Sequence, residues 1–156
     1  MTVISITPAE YMYIGLAATM RRVSALKKNR KPEHKITPDR EWQSDIEGMV
    51  GEFVLAKALG RFWTPTVGHL DSDIGDVGSW QVRTTAWKNG SLIVNKKDHD
   101  GHKFVLITGE NEVGYDWNVR GWMYGEDAKA DKYWEAKQAG RYAYFVPQCD
   151  LHKILE

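Results

Sequence analysis

Apolar and polar residues alternate most regularly between Ser79 and Trp87. There Trp80, Val82 and Thr84 fall on one side of an extended chain and Gln81, Arg83 and Thr85 on the other. The pattern predicts a strand with a packed face and a chemical face. Before it, Asp71, Asp73 and Asp76 are interspersed with Gly75 and Gly78, a turn-forming stretch that gathers carboxylates at the strand's start. After it, Asn89-Gly90 is the strongest short signal for a hairpin, followed by Leu92 to Asn95. A two-residue turn there pairs Lys88 with Ser91, which sets Arg83 opposite Lys96 and Gln81 opposite Asp98. Lys103 to Gly109 is a nearly continuous apolar run, as expected of a central strand covered on both faces. Tyr115 to Tyr124 reads as an aromatic-rich strand, Glu126 to Ala139 as a helix stopped by Gly140, and Tyr142 to Val146 as a last strand before Pro147. Phe62 to Thr64 is a candidate short strand.

Two longer helices precede these strands. Thr7-Pro8-Ala9-Glu10 supplies an N-cap, a proline at the first helical position and a capping box, and the helix should run to about Lys28. Arg21, Arg22, Lys27 and Lys28, followed by Arg30 and Lys31, complement the negative end of that helix. They form either a solvated basic face or a surface for nucleic-acid phosphates. Pro32 and Pro38 mark Asn29 to Asp39 as a connector. The second helix is expected from Trp42 to Leu59, with Gly60 as its stop. At 100° per residue, Glu52 lies in a stripe with Gly48, Met49, Leu55, Ala56 and Leu59, and Asp45 sits at the stripe's N-terminal end. Burying such a carboxylate unpaired is costly, so it demands a cation, a metal or a hydrogen-bond donor. A structural ion pair with an arginine such as Arg83 would meet that demand. Gly48 and Gly51 imply close approach by another element, the sheet being the natural one.

The 156 residues, 42% of them hydrophobic, suit one domain spanning 1–156. Zero net charge provides no overall basic field, so any nucleic acid must be held by a local patch. The seven tryptophans serve core packing or stacking on bases. A lone cysteine, Cys149, cannot form an internal disulfide, reads as a small buried hydrophobe, and points to a reducing compartment, the cytoplasm. No apolar run approaches the roughly 20 residues that span a bilayer, and the N-terminus lacks a signal-peptide layout, so no membrane partner is expected.

A buried-stripe Glu on a helix, an Asp closing a loop, and Gln-x-Arg on the next strand are explained together by phosphodiester hydrolysis. A hard divalent cation, Mg²⁺ or Mn²⁺, takes oxygen ligands, keeps several waters, activates one and neutralises phosphate charge. Asp76, the Gln81 side-chain oxygen, the Val82 carbonyl and Glu52 are the expected ligands. In their order and spacing, over about residues 44 to 108, these residues resemble the PD-(D/E)xK nuclease superfamily, with Glu52 as the helix Glu, Asp76 as the Asp and Gln81-Val82-Arg83 as the final tripeptide. The wider layout is similar to small phage and prophage members. The resemblance implies an α/β domain with a restriction-endonuclease-like core, a mixed sheet of four to five strands flanked by helices. It further implies a Mg²⁺-dependent endodeoxyribonuclease acting on DNA. Gln81 stands where the family usually has Asp or Glu, and Arg83 replaces the Lys. A guanidinium clamps phosphate but does not deprotonate water. Lys96, placed across from Arg83 by the hairpin register, would supply the ammonium, and Asp98 a carboxylate.

Other readings remain. A catalytically degenerate member would serve as a phage accessory module that binds nucleic acid or protein, and a purely structural protein would bury a Glu52–Arg83 pair. Asp71-x-Asp73-x-Gly75-Asp76 lacks the twelfth-position Glu of a calcium loop, where Val82 stands, and His99-x-x-His102 lies in a polar turn without cysteines for a zinc site. Cutting both strands of a duplex often calls for a homodimer, and no segment of the sequence declares itself as its interface.

Overall fold

The computed structural model describes residues 2–29, 37, 40–67, 75–138 and 141–154. Expectations that rest on Asp71, Asp73, Arg30, Lys31 or most of the connector between the two long helices lie outside these residues. The chain opens with a strand that the sequence pattern did not announce, β1 (Thr2–Ser5). Helix α1 (Pro8–Lys27) begins as its capping box dictates. The Thr7 hydroxyl accepts the Glu10 N–H at 3.2 Å, and the Glu10 carboxylate accepts the Thr7 N–H at 2.7 Å. Helix α2 (Glu41–Ala58) ends where Gly60 takes φ +63°, a left-handed conformation that costs glycine little.

Four strands form a mixed sheet in the order β1, β5 (Asp116–Tyr124), β4 (Lys103–Thr108), β2 (Trp80–Thr85), with β2 and β4 parallel and the other pairs antiparallel. The remaining strands, β3 (Leu92–Val94), β7 (Arg141–Val146) and β6 (Trp134–Gln138), make a second, antiparallel sheet in that order. The protein is therefore α/β, with its two long helices on one face of the mixed sheet. Val82, Val105, Ile107, Trp117 and Val119 pack with Ile14, Ala17 and Ala18 of α1 and Met49, Val50, Val54 and Leu55 of α2. On the opposite face Phe104, Leu106 and Met123 pack with Leu92, Val94 and Val146 of the second sheet. The apolar run of β4 is thus central and buried on both sides, as its composition predicts.

Four local expectations are corrected. The hairpin after β2 does not form, because β2 pairs with β4 and β3 pairs with β7. The free edge of β2 is already used by its own approach loop. Val77 and Trp80 form an antiparallel bridge, and Asp76 Oδ2 accepts the Val82 N–H at 2.7 Å. The Gln148 amide meanwhile donates to the carbonyls of Lys88 and Gly90, holding the turn toward the second sheet. The helix expected over 126–139 is reduced to one turn, α3 (Gly125–Ala128), and Trp134 onward is strand. Cross-strand packing of Trp134 on Tyr142 and Tyr144 overrides the helical preference of Glu135, Ala136 and Lys137. Phe62 to Thr64 is irregular, with Phe62 exposed and Trp63 buried. Cys149 is exposed rather than buried. No helix among the described residues is long and apolar enough to cross a membrane.

Candidate functional site

The stripe on α2 delivers Glu52 to the interior, where it is 3% exposed. It lies one residue beyond Gly51, where α2 meets β2 so closely that a Cβ would stand 1.8 Å from Thr84 Oγ1. Glu52 Oε1 accepts a hydrogen bond from Arg21 Nη2 at 2.8 Å, whereas Oε2 is buried without a partner. Trp63, 4% exposed, turns its indole toward the same carboxylate without completing a hydrogen bond, so its Nε1 is also unsatisfied. Burial raises the Glu52 pKa from 4.5 to about 7; Arg21 opposes the rise and the Asp76 carboxylate reinforces it. Asp76 is half-buried at the free edge of β2, fixed by the Val82 N–H. Arg21 also donates to the Thr66 carbonyl at 3.3 Å. The Arg21–Glu52 pair, with one bare buried oxygen, thus stands where α1, α2 and β2 converge, within electrostatic reach of Asp76.

Gln81 and Arg83 are not part of that group. Strand alternation puts Val82 toward the helices and Gln81 and Arg83 toward the second sheet, in register with Phe104 and Leu106. Arg83 Nη2 pairs with Asp98 Oδ2 at 2.9 Å, its Nε donates to the Ile93 carbonyl at 3.2 Å, and its Nη1 donates to the Val82 carbonyl at 3.3 Å. The expected Glu52–Arg83 pair is replaced by Arg21–Glu52 and Arg83–Asp98. Lys96 is not across from Arg83, since the hairpin that would put it there is absent; its ammonium lies 5.8 Å over the Trp134 ring. An ammonium does stand on the helix-covered face, that of Lys103, enclosed by the rings of Trp80, Trp122 and Tyr124 at 5.2 to 5.8 Å.

The basic run of α1 divides in two. Arg22 is buried, donating to Glu41 at 2.6 Å and to Asp45 at 2.5 Å, so it does not extend into solvent, whereas Arg21, paired with Glu52, stays partly open to it. Lys27 and Lys28 are exposed at the helix end. The sequence held a signal for this division. Ile14, Ala17 and Ala18 are buried, and helical spacing carries the same stripe on to Arg21 and Arg22.

Among the described residues no group of three or more His, Cys, Asp or Glu side chains could hold a metal ion. The rings of His99 and His102 lie tilted against each other with centres 4.7 Å apart, and His99 Nδ1 accepts the Gly101 N–H. The donor set that fits a hard cation is therefore small. Glu52 Oε2 and the Asp76 carboxylate are the oxygen atoms that could hold one, and a cation of the Mg²⁺ type would need water or phosphate oxygens besides them. Comparison of the chain with family models, curated proteins and solved structures finds no match.

Proposed function

We propose that the chain is a metal-dependent nuclease with a restriction-endonuclease-like core, hydrolysing DNA phosphodiester bonds at Glu52 and Asp76. The observation that carries this reading is the unpartnered, buried Oε2 of Glu52 beside a second carboxylate. An uncompensated buried oxygen costs several kcal/mol, by order of magnitude, unless the site has a use for it. A Mg²⁺ or Mn²⁺ ion held there would polarise a phosphoryl oxygen and lower the pKa of a bound water. Asp76 is positioned for this by the Val82 N–H, and Arg21, partly open to solvent, has guanidinium N–H groups for an approaching phosphate. Lys27 and Lys28 extend positive charge along the same helix toward the DNA backbone. Gln81 and Arg83 lie on the far face of β2, where Arg83 organises the segment from Ile93 to Asp98, and Lys96 lies over the Trp134 ring.

The test is incubation of the protein with supercoiled plasmid, linear duplex and single-stranded DNA, with Mg²⁺, Mn²⁺ or chelator, beside Glu52→Gln and Asp76→Ala. Metal-dependent cleavage that both variants lose is the expected result. A second reading is favoured by the internal satisfaction of Arg21 by Glu52 and of Arg83 by Asp98. In it, the chain is a catalytically degenerate phage accessory module that binds nucleic acid or protein. Absence of cleavage, together with no rise in melting temperature on adding either metal, would decide for it.

A further inference from the structure

The outward face of α1 is apolar along its length. Met12 is 78% exposed, Leu16 63%, Met20 51% and Leu26 55%, with Val23 and Tyr13 exposed beside them. No charge interrupts this stripe between Pro8 and Leu26, because each charged residue in that span is turned into an ion pair: Glu10 with Lys57, Arg21 with Glu52, and Arg22 with Glu41 and Asp45. A helix that faces water normally carries its charges outward, so this face is built to be covered.

We propose that a second copy of this chain covers it, the two α1 helices packing antiparallel about a twofold axis near Thr19 and Met20. The spacing is self-complementary about that point. With the axis between positions 19 and 20, Tyr13 meets the partner's Leu26, Leu16 meets the partner's Val23, and Met20 meets the partner's Thr19, one residue from its own counterpart. Antiparallel packing also sets the negative end of each helix, marked by Lys27, beside the positive end of the other. A stable protein interface needs roughly 600 Å² from each partner, and six large apolar side chains that are 36 to 78% exposed on one helix are of the size to supply it. The stripe's lack of charge is the composition expected at the centre of a homodimer contact. This inference does not depend on the nuclease reading.

Sedimentation equilibrium over a wide concentration range tests it. The wild-type chain should weigh as a dimer, and Leu16→Glu with Met20→Glu should weigh as a monomer with an unchanged circular dichroism spectrum, since both side chains are exposed. As a second measurement, Met20→Cys in a Cys149→Ser background should cross-link to a dimer under mild oxidation. A wild-type monomer at every concentration, or a dimer that survives both glutamates and forms no Met20→Cys cross-link, would overturn the proposal. A monomer would leave the stripe to a protein of different sequence.

Discussion

Arg21 satisfies one oxygen of Glu52 at 2.8 Å and leaves the other bare. The pair therefore compensates only part of the desolvation, and the Glu52 pKa stands at about 7 against its ordinary 4.5. The sign of the resulting pH dependence follows from the raised value. Between pH 4.5 and 7 the folded protein keeps a proton that the unfolded chain has lost, so stability declines as pH rises through that window and levels off above it. The loss is on the order of 3 kcal/mol. Glu52→Gln, which cannot titrate, should flatten the decline when urea midpoints are compared across the same pH range. A slope unchanged in Glu52→Gln would assign it to another group.

A metal held at the proposed site would oppose that slope. A divalent cation prefers the ionised carboxylate, so saturating Mg²⁺ or Mn²⁺ should raise the melting temperature more at pH 8 than at pH 5.5 and by little in Glu52→Gln or Asp76→Ala. At 100 times the dissociation constant the gain is about 2.7 kcal/mol. Equal metal shifts in wild type and both variants would place the ion elsewhere.

The contact of Gly51 with Thr84 fixes how closely α2 rides on β2. A Cβ at position 51 would stand 1.8 Å from Thr84 Oγ1 and 2.9 Å from Thr84 Cβ, so the helix or the strand must move. Alanine gains up to about 1 kcal/mol of helix propensity over glycine, whereas overpacking of this kind costs about 1 to 3 kcal/mol or more. Gly51→Ala should therefore lose about 2 kcal/mol net in urea unfolding. Adding Thr84→Ala, which removes Oγ1 but not Cβ, should recover only part of it. Full recovery would mean that the hydroxyl alone sets the spacing.

Local chemistry was legible in the sequence where it sufficed to decide the outcome. The capping box at Thr7 and Glu10, the Gly60 stop and the unbroken apolar run of β4 each act through neighbours a few residues away. The stripe on α2 likewise exposed the burial of Glu52. The partners did not follow, because each is chosen by contacts distant in sequence. Asn89-Gly90 does turn the chain, yet Asp76 occupies the edge of β2 that a hairpin would need, and Gln148 draws the turn away. With the hairpin went Lys96 opposite Arg83. Arg21 displaced Arg83 as the partner of Glu52 because α1 packs over α2 on the helix face, a relation that no alternation along β2 encodes.

Arg22 ties the two helices together through Glu41 and Asp45, all three side chains being mostly buried. Replacing it by Met keeps the aliphatic volume and abandons two carboxylates. The expected loss is about 3 kcal/mol, corresponding to a fall in melting temperature of roughly 6 to 12 °C. Adding Glu41→Gln and Asp45→Asn should return most of that loss, because the unpaired charges and not the missing contacts are its main source. Thermal melts of the single and triple variants measure both numbers.

Arg83 holds the chain between β2 and β4 in place. Its guanidinium reaches Ile93, Val82 and Asp98, lies 4.9 Å from the centre of the Phe104 ring, and shares Asp98 Oδ2 with the Asn95 N–H at 2.8 Å. All of these contacts lie on the face of β2 opposite Glu52. If they are its role, Arg83→Ala should lose about 2 kcal/mol of stability and Asp98→Ala a similar amount, discounted for the partial exposure of the arginine. The double variant should then lose markedly less than the sum, since the second substitution removes a group already stripped of its partner. The metal-dependent rise in melting temperature should survive in all three variants. The nuclease motif alone would assign Arg83 to the scissile phosphate and predict the reverse: little change in stability and loss of cleavage with metal binding intact. Urea unfolding and plasmid cleavage on the same preparations separate the two. A stable Arg83→Ala that no longer cuts would return Arg83 to the catalytic group.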